Sequence, residues 1–252
     1  MSKLSTNSFL KGKYQEKLIK KIDMTNIDQL KFKKEDFKIE NLNNQDKRIQ
    51  DYLLKKLLNS SASCQISDAL ANLTRRDGVL YGIKSINSKK AYGRIITAKT
   101  NSDDWGTSLL AIDEAKKGEI LFISSLGEHS AIWGELTSRC SKEKGLSGTV
   151  IYGATRDIDF LVDFDYPVFA YETVPNAGKP LALGMINPKL EIENITIKPG
   201  DFFFGDISGC VIVPQELFSD VMMETLNIKL KEAEIICEIK KGKSLSEILN
   251  LR

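Results

Sequence analysis

The fold of this chain is decided by residues 119–157, which read EILFISSLGEHSAIWGELTSRCSKEKGLSGTVIYGATRD. Two β-rich runs lie in this stretch, residues 119–124 and 148–152, and their central residues 120–123 and 149–151 are apolar on both faces, as is typical of strands buried in the middle of a sheet. Between them, residues 134–144 favour a helix. A buried strand, a helix and a second buried strand predict a parallel strand pair, and therefore a layered α/β domain.

The same alternation continues on both sides of that stretch. The further β-rich runs are residues 82–86, 92–98, 167–171 and 211–213, and the further helical stretches are residues 107–117, 157–164 and 214–241. Ser67-Asp68-Ala69-Leu70 predicts the start of a short helix. Residues 191–198 alternate in polarity and predict one strand, Pro199-Gly200-Asp201 predicts a turn, and Gly205-Asp206 predicts another.

A single histidine, His129, occurs among the 252 residues. It excludes zinc sites with several histidines and iron sites that need two, and a serine or cysteine hydrolase would have to use it as its base. His129 has two interpretations, an exposed loop residue or a substrate contact. The four cysteines form no Cys-x-x-Cys pair, so we expect free thiols rather than a thiolate metal site.

The first 45 residues differ from the rest of the chain in charge. Residues 1–60 hold 14 Lys and Arg against 8 Asp and Glu, a surplus of 6, whereas the whole chain has a net charge of +2. We expect a basic, largely helical appendage over residues 1–45 and the α/β domain over residues 46–252. The lysines of the appendage fit a solvated face, and a contact with an acidic protein partner or nucleic acid is the alternative.

The sequence gives no sign of a membrane protein. Residues 1–10 lack the apolar core of a signal peptide, and no apolar run approaches the roughly 20 residues of a membrane helix. A net charge of +2 is also too small to indicate binding to nucleic acid or to a membrane. We therefore expect a cytoplasmic protein.

Polar residues with chemical potential follow the two decisive strands. Glu135 lies in the first turn of the expected helix that starts at Gly134, and Arg156 and Asp157 come directly after the second strand. Carboxyl ends of neighbouring parallel strands form a crevice, and helix N–H groups there bind anions. A guanidinium, a carboxylate that can hold Mg²⁺ and an anion site suit a small oxo acid whose enolate needs stabilising. The alternative is a helix cap with a surface ion pair.

From about residue 60 to the C-terminus, the chain resembles the RraA-like family, which includes the class II 4-hydroxy-4-methyl-2-oxoglutarate aldolases. Eight short motifs occur in family order: Ser67-Asp68-Ala69-Leu70, Gly93-Arg94, Trp133-Gly134-Glu135, Gly153-Ala154-Thr155-Arg156-Asp157, Pro167-Val168-Phe169-Ala170, Pro199-Gly200-Asp201, Gly205-Asp206 and Val213-Pro214. The family pattern is an acid, twenty residues, Arg-Asp, two residues and an acid. Glu135, Arg156 and Asp157 match it.

The resemblance implies a fold, an activity and an assembly. The fold would be a swivelling-domain-like α/β architecture of mixed sheets with flanking helices, assembled into a trimer or hexamer. The activity would be a retro-aldol cleavage of 4-hydroxy-4-methyl-2-oxoglutarate type, the decarboxylation of oxaloacetate, or both, through a pyruvate enolate stabilised by Mg²⁺ or Mn²⁺. Small oxo acids would be the substrates.

The resemblance also assigns a role to each site residue. Backbone amides of Gly134, Glu135, Leu136 and Thr137 would contact the pyruvoyl carboxylate. Arg156 would bind the oxo group and offset the enolate charge. Asp157 would be the metal ligand, and Glu135 would orient water for proton transfer.

One position departs from the family pattern. Phe160 stands where the pattern has its second acid. Some family members are regulators that inhibit a ribonuclease by protein contact. A non-catalytic regulator, with a protein partner bound through the basic appendage, is therefore the alternative function.

Overall fold

The computed structural model describes residues 47–126 and 130–251. The expected appendage over residues 1–45, its boundary with the domain, and His129 lie outside this range. The chain divides into two compact units. One contains residues 62–67 and 74–215, and the other contains residues 47–61, 68–73 and 216–251 of the described chain.

The larger unit is built on one mixed sheet. Its strands and those of a separate hairpin are β1 (Lys84–Ser85), β2 (Ala91–Asn101), β3 (Ile120–Leu126), β4 (Ala131–Trp133), β5 (Gly148–Thr155), β6 (Val168–Thr173), β7 (Met185–Ile186), β8 (Leu190–Ile192), β9 (Ile195–Ile197), β10 (Phe202–Asp206) and β11 (Gly209–Val213). The sheet order is β1-β6-β5-β3-β2-β10-β11, with β4 beside β5 and β7 beside β2, and β8 pairs with β9 alone.

The centre of the sheet is parallel and buried on both faces. Strands β2, β3, β5 and β6 pair in parallel, in the order β2-β3-β5-β6. Residues 120–123 of β3 have no exposed surface. Leu121 and Ile123 belong to one apolar cluster and Ile120 and Phe122 to another, because successive side chains of a strand point to opposite faces. Burial of apolar surface on both faces therefore stabilises this sheet.

Helices follow the parallel strands, as the alternation predicts. The helices are α1 (Lys47–Ser60), α2 (Ser63–Thr74), α3 (Gly106–Glu114), α4 (Glu135–Lys144), α5 (Ile158–Asp163), α6 (Phe218–Lys240) and α7 (Leu245–Ile248). Ala111 and Ile112 of α3 and Leu161 of α5 pack into the cluster of Leu121 and Ile123. None of the described helices has the length and apolar character required to cross a membrane.

The smaller unit consists mainly of helices. In α6, the side chains of Val221, Met222, Leu226 and Leu230 are buried. Lys229 donates from Nζ to the carbonyl oxygen of Ser60 at 2.7 Å. Gly242, at a φ of 92°, follows the end of α6, close to the end at residue 241 that the sequence predicts.

The layered α/β fold is confirmed, three local expectations are corrected, and one strand is new. Residues 191–198 form two strands, because Glu193 adopts a φ of 51° and turns the chain into the β8–β9 hairpin. Helix α2 begins at Ser63, four residues before the expected start. Strand β4 was not expected. Gly205-Asp206 belongs to β10, so the turn lies after it.

Candidate functional site

The short strand β4 brings the two parts of the expected site together, the start of α4 and the end of β5. Strand β4 pairs in parallel with the end of β5 and leads directly into α4. The carbonyl oxygen of Trp133 accepts hydrogen bonds from the backbone N–H of Arg156, at 3.0 Å, and from Oγ1 of Thr155, at 3.2 Å. The first turn of α4 is thereby fixed beside Arg156 and Asp157.

The first turn of α4 carries N–H groups with and without partners. The N–H of Gly134 donates to Oγ1 of Thr137 at 3.0 Å, and the N–H of Glu135 donates to Oδ2 of Asp157 at 3.0 Å. The N–H groups of Leu136 and Thr137 have no acceptor among the described residues, as the start of a helix requires. Of the four amides expected to bind a carboxylate, these two are open for an anion.

Asp157 has an unusual backbone conformation. Its φ of 58° and ψ of 42° lie in the left-handed region, a backbone conformation that costs energy for residues other than glycine. Asp and Asn tolerate it best, and such strain is concentrated at functional positions. Oδ2 of Asp157 lies 3.7 Å from Nε of Arg156, and both side chains are about two-fifths exposed, at 38% and 43%. The two groups are therefore close together and open to solvent.

Gly134 makes room for the Asp157 carboxylate. A Cβ at position 134 would lie 2.4 Å from Oδ2 of Asp157 and 3.2 Å from Cγ of Arg156. The Gly134 backbone is extended, so the requirement for glycine comes from this close approach rather than from its torsion angles. The absent side chain is what lets Asp157 reach the N–H of Glu135.

Glu135 is held by an arginine that the sequence analysis did not identify. Nε of Arg139 donates to Oε1 of Glu135 at 2.8 Å. The Arg139 guanidinium lies over the ring of Phe160, 4.4 Å from its centroid. The spacing of four residues between Glu135 and Arg139 on one helix is the sequence signal that could have indicated the pair.

The short helix after Asp157 is fixed at its far end by Asn87. Nδ2 of Asn87 donates to the carbonyl oxygens of Leu161, Phe164 and Tyr166, at 3.2, 3.1 and 2.7 Å. The Asn87 amide thereby joins the last turn of α5 to the segment that follows the helix, where the carbonyl oxygens of Leu161 and Phe164 also accept from the backbone N–H groups of Phe164 and Tyr166. Because Asn87 is 70 residues away from Asp157 in sequence, no local pattern could have indicated this support.

The residues at Asp157 fit a divalent ion that keeps most of its waters. Oδ1 of Asp157 has no hydrogen-bond partner within the described ranges. No group of three or more His, Cys, Asp or Glu side chains suited to a metal occurs in that part of the chain. Mg²⁺ accepts this arrangement, since one or two carboxylates and several waters suffice for it, whereas Zn²⁺ prefers several protein ligands.

A second carboxylate, Asp104, is buried and structural. It is 2% exposed and accepts five hydrogen bonds of 2.7–2.9 Å. The donors are Oγ1 of Thr100 and of Thr107 and the backbone N–H groups of Gly106, Ala182 and Leu183. Burial raises the pKa of Asp104, but these bonds outweigh that effect and hold the pKa well below its ordinary value. The carboxylate binds the first residue of α3 and also fixes the loop around residue 182.

Comparison with known proteins places these residues within a recognised family. A model of the RraA-like family, described as Aldolase/RraA, matches residues 63–212. An uncharacterized protein of Methanocaldococcus jannaschii is 39% identical over 177 residues, which cover 68% of this chain and 85% of that protein. A protein of Halalkalibacterium halodurans, provisionally named a 4-hydroxy-4-methyl-2-oxoglutarate aldolase, is 31% identical over 171 residues, which cover 67% of this chain and 79% of that protein.

A solved structure agrees with the sequence comparisons. The crystal structure of an uncharacterized protein from Pseudomonas syringae matches with a TM-score of 0.69 and 29% identity. The match covers 78% of this chain and 96% of that protein. The region matched by the family model contains every residue of the candidate site.

Proposed function

This chain belongs to the RraA-like family, and we propose that it is a divalent-metal-dependent carbon–carbon lyase that acts on a pyruvate-containing oxo acid. Retro-aldol cleavage of a 4-hydroxy-4-methyl-2-oxoglutarate-type substrate and decarboxylation of oxaloacetate are the two reactions. Both break a bond to C3 of the pyruvate unit and leave the same enolate. The observation that carries the proposal is the meeting of an anion site, a guanidinium and an open carboxylate at the ends of β4 and β5.

The proposal assigns substrate binding to the start of α4. The N–H groups of Leu136 and Thr137 would hold the carboxylate of the pyruvate unit, which the positive end of the helix dipole also favours. Arg156 would donate to the oxo oxygen from its planar guanidinium. Because this oxygen gains negative charge as the bond to C3 breaks, Arg156 would bind the enolate more strongly than the substrate.

The carboxylates would hold the metal and move the proton. Asp157 would hold Mg²⁺ or Mn²⁺, which when bound supplies further positive charge beside the oxo oxygen. Glu135, whose side chain is 38% exposed, would orient the water that supplies the proton C3 takes up when pyruvate is released. The Arg139 guanidinium beside Glu135 bears on this role and is considered below.

The test uses the purified full chain with Mg²⁺ or Mn²⁺ and either substrate. We expect pyruvate release above the rate with metal alone. Loss of a hydrogen-bond donor to the transition state lowers kcat by about 10²–10³-fold, so we expect the kcat of Arg156→Ala to be lower than that of the wild type by this factor. Asp157→Asn, which suits the left-handed backbone, should lose the metal-dependent part of the rate. Arg76→Ala, a change of an exposed arginine outside the site, is the matched control.

Two results would contradict the proposal. One is the absence of pyruvate above the metal-only rate with both metals and both substrates. The other is an Arg156→Ala rate equal to that of the wild type. The first result would favour the alternative of a regulator that acts by binding another protein, and the second would remove Arg156 from the proposed mechanism.

We also propose that the chain assembles into a trimer, or into a hexamer formed from two trimers. Sedimentation velocity measures this directly. A monomer at micromolar concentration would contradict the proposed assembly and would weaken the model of the site.

A further inference from the structure

We propose that Arg139 is a positioning residue for the Glu135 carboxylate, and that Phe160 keeps the guanidinium on Glu135. This inference rests on the proposed function, because it concerns the carboxylate that moves the proton. It also gives a physical role to Phe160, the position at which the chain departs from the family pattern.

The contacts form a continuous series from α5 to α4. The rings of Phe160 and Phe164 lie against each other, with centroids 4.7 Å apart. The guanidinium of Arg139 lies 4.4 Å from the centroid of Phe160 and 5.5 Å from that of Phe164. Its Nε donates to Glu135 at 2.8 Å. The guanidinium therefore contacts aromatic rings and a carboxylate at once.

The identity of residue 160 decides which carboxylate Arg139 binds. An acidic residue at position 160 would offer the Arg139 guanidinium a second carboxylate. The two carboxylates, that of residue 160 and that of Glu135, would then compete for the guanidinium. An aromatic ring attracts the cation through its negative face and brings no competing charge. Within the described residues, Glu135 is the ion-pair partner of Arg139. Phe160 therefore fixes the choice in favour of Glu135.

Positioning matters because Glu135 is only half fixed without Arg139. Its backbone N–H is bound by Asp157, but its side chain is 38% exposed and the Arg139 ion pair is what defines its direction. An isolated exposed pair of this type contributes little to stability. The effect of Arg139 should therefore appear in catalysis, where misplacement of the carboxylate that directs proton transfer is costly, rather than in folding.

The experiment measures proton transfer separately from carbon–carbon cleavage. In D₂O with Mg²⁺, a base removes a proton from the pyruvate methyl group and a deuteron returns to the same carbon, which proton NMR follows. We expect Arg139→Gln to slow this exchange, and to lower kcat for oxaloacetate, by about tenfold, with KM changed by less than about twofold. Arg139→Lys should recover part of the loss, because it returns the positive charge.

Three further variants and one control separate positioning from general damage. In a Glu135→Gln background, Arg139→Gln should cause no further loss, since there is no carboxylate left to place. Phe160→Leu should lower kcat in the same direction, and Phe160→Tyr should recover most of that loss because it restores the ring. Lys142→Gln is the matched control. Lys142 lies on α4, as Arg139 does, and its Nζ lies over the ring of Phe164, but it does not bind Glu135.

The outcomes are distinguishable. An active wild type with an unaffected Arg139→Gln variant overturns the positioning role alone. The same fold-loss in the Glu135→Gln background, or a change confined to KM, also overturns it. A wild type that neither exchanges pyruvate protons nor releases pyruvate removes the proposed function, and the positioning role with it.

Discussion

Replacing Gly134 by alanine should displace the carboxylate of Asp157. The new Cβ would lie 2.4 Å from Oδ2, whereas ordinary contact begins at 3.4 Å, so the oxygen must move by about 1.0 Å, the difference between these distances. A movement of that size breaks the bond from the N–H of Glu135, now 3.0 Å long. A hydrogen bond to a charged group contributes about 1.5–3 kcal/mol, and solvent replaces part of it here, so we expect a loss of about 1 kcal/mol.

Thermal unfolding followed by circular dichroism checks this magnitude. For a chain of this size, about 1 kcal/mol corresponds to a fall in Tm of about 2–4 °C. The same alanine in an Asp157→Gly background should cost less than about half of that, because the carboxylate is gone and glycine suits the left-handed backbone. Equal losses in the two backgrounds would refute the reasoning, since the clash would then not involve Asp157.

Three further predictions concern the supports around the sheet. Asp104→Asn should lower the free energy of unfolding by about 3 kcal/mol at pH 7, because an amide cannot accept all five hydrogen bonds. Since folding lowers the pKa of Asp104, the stabilisation it provides is present above the ordinary Asp pKa of about 3.9 and is lost on acidification. In urea unfolding, the difference in free energy of unfolding between wild type and variant should therefore shrink below about pH 4. A difference unchanged down to about pH 3 would contradict this. Asp206→Ala should lower the free energy of unfolding by about 1–2 kcal/mol and speed amide hydrogen exchange over residues 63–67. The reason is that Oδ2 and Oδ1 of Asp206 accept hydrogen bonds from the N–H and Oγ of Ser63, each at 2.7 Å. Unchanged exchange would argue that Asp206 does not cap α2. Asn87→Ala should lower the free energy of urea unfolding by about 1–3 kcal/mol, since the Asn87 amide no longer donates to the carbonyl oxygens of Leu161, Phe164 and Tyr166, and a variant as stable as the wild type would show that water replaces the amide.

The parallel core could be predicted from sequence because its signal is local. Residues 120–123 are apolar without interruption and residues 149–151 are largely so, and β3 and β5 do pair in parallel there. The start of α2 at Ser63 could not be predicted, because its cap is Asp206, 143 residues away. The β8–β9 hairpin was missed because Glu193, rather than a glycine, adopts the left-handed conformation of the turn.

The candidate site was predictable in its chemistry and less so in its supports. The sequence places Glu135, Arg156 and Asp157 after neighbouring strands, and the structure brings these residues together through β4. The sequence could not indicate that the Asp157 carboxylate accepts the hydrogen bond from the N–H of Glu135. It also could not indicate that the Asn87 amide binds carbonyl groups at the end of α5. Both interactions join segments distant in sequence, so only the folded chain reveals them. The assigned roles of these residues in catalysis stay predictions.

The left-handed backbone at position 157 limits how this protein can evolve. Aspartate, asparagine and glycine are the residues that such a conformation accepts at low cost. Aspartate codons convert to asparagine or glycine codons by one nucleotide change, and either change would remove the negative charge while leaving the turn intact. A descendant could therefore lose the proposed metal-dependent chemistry in a single mutation and keep its shape for selection to use in another role.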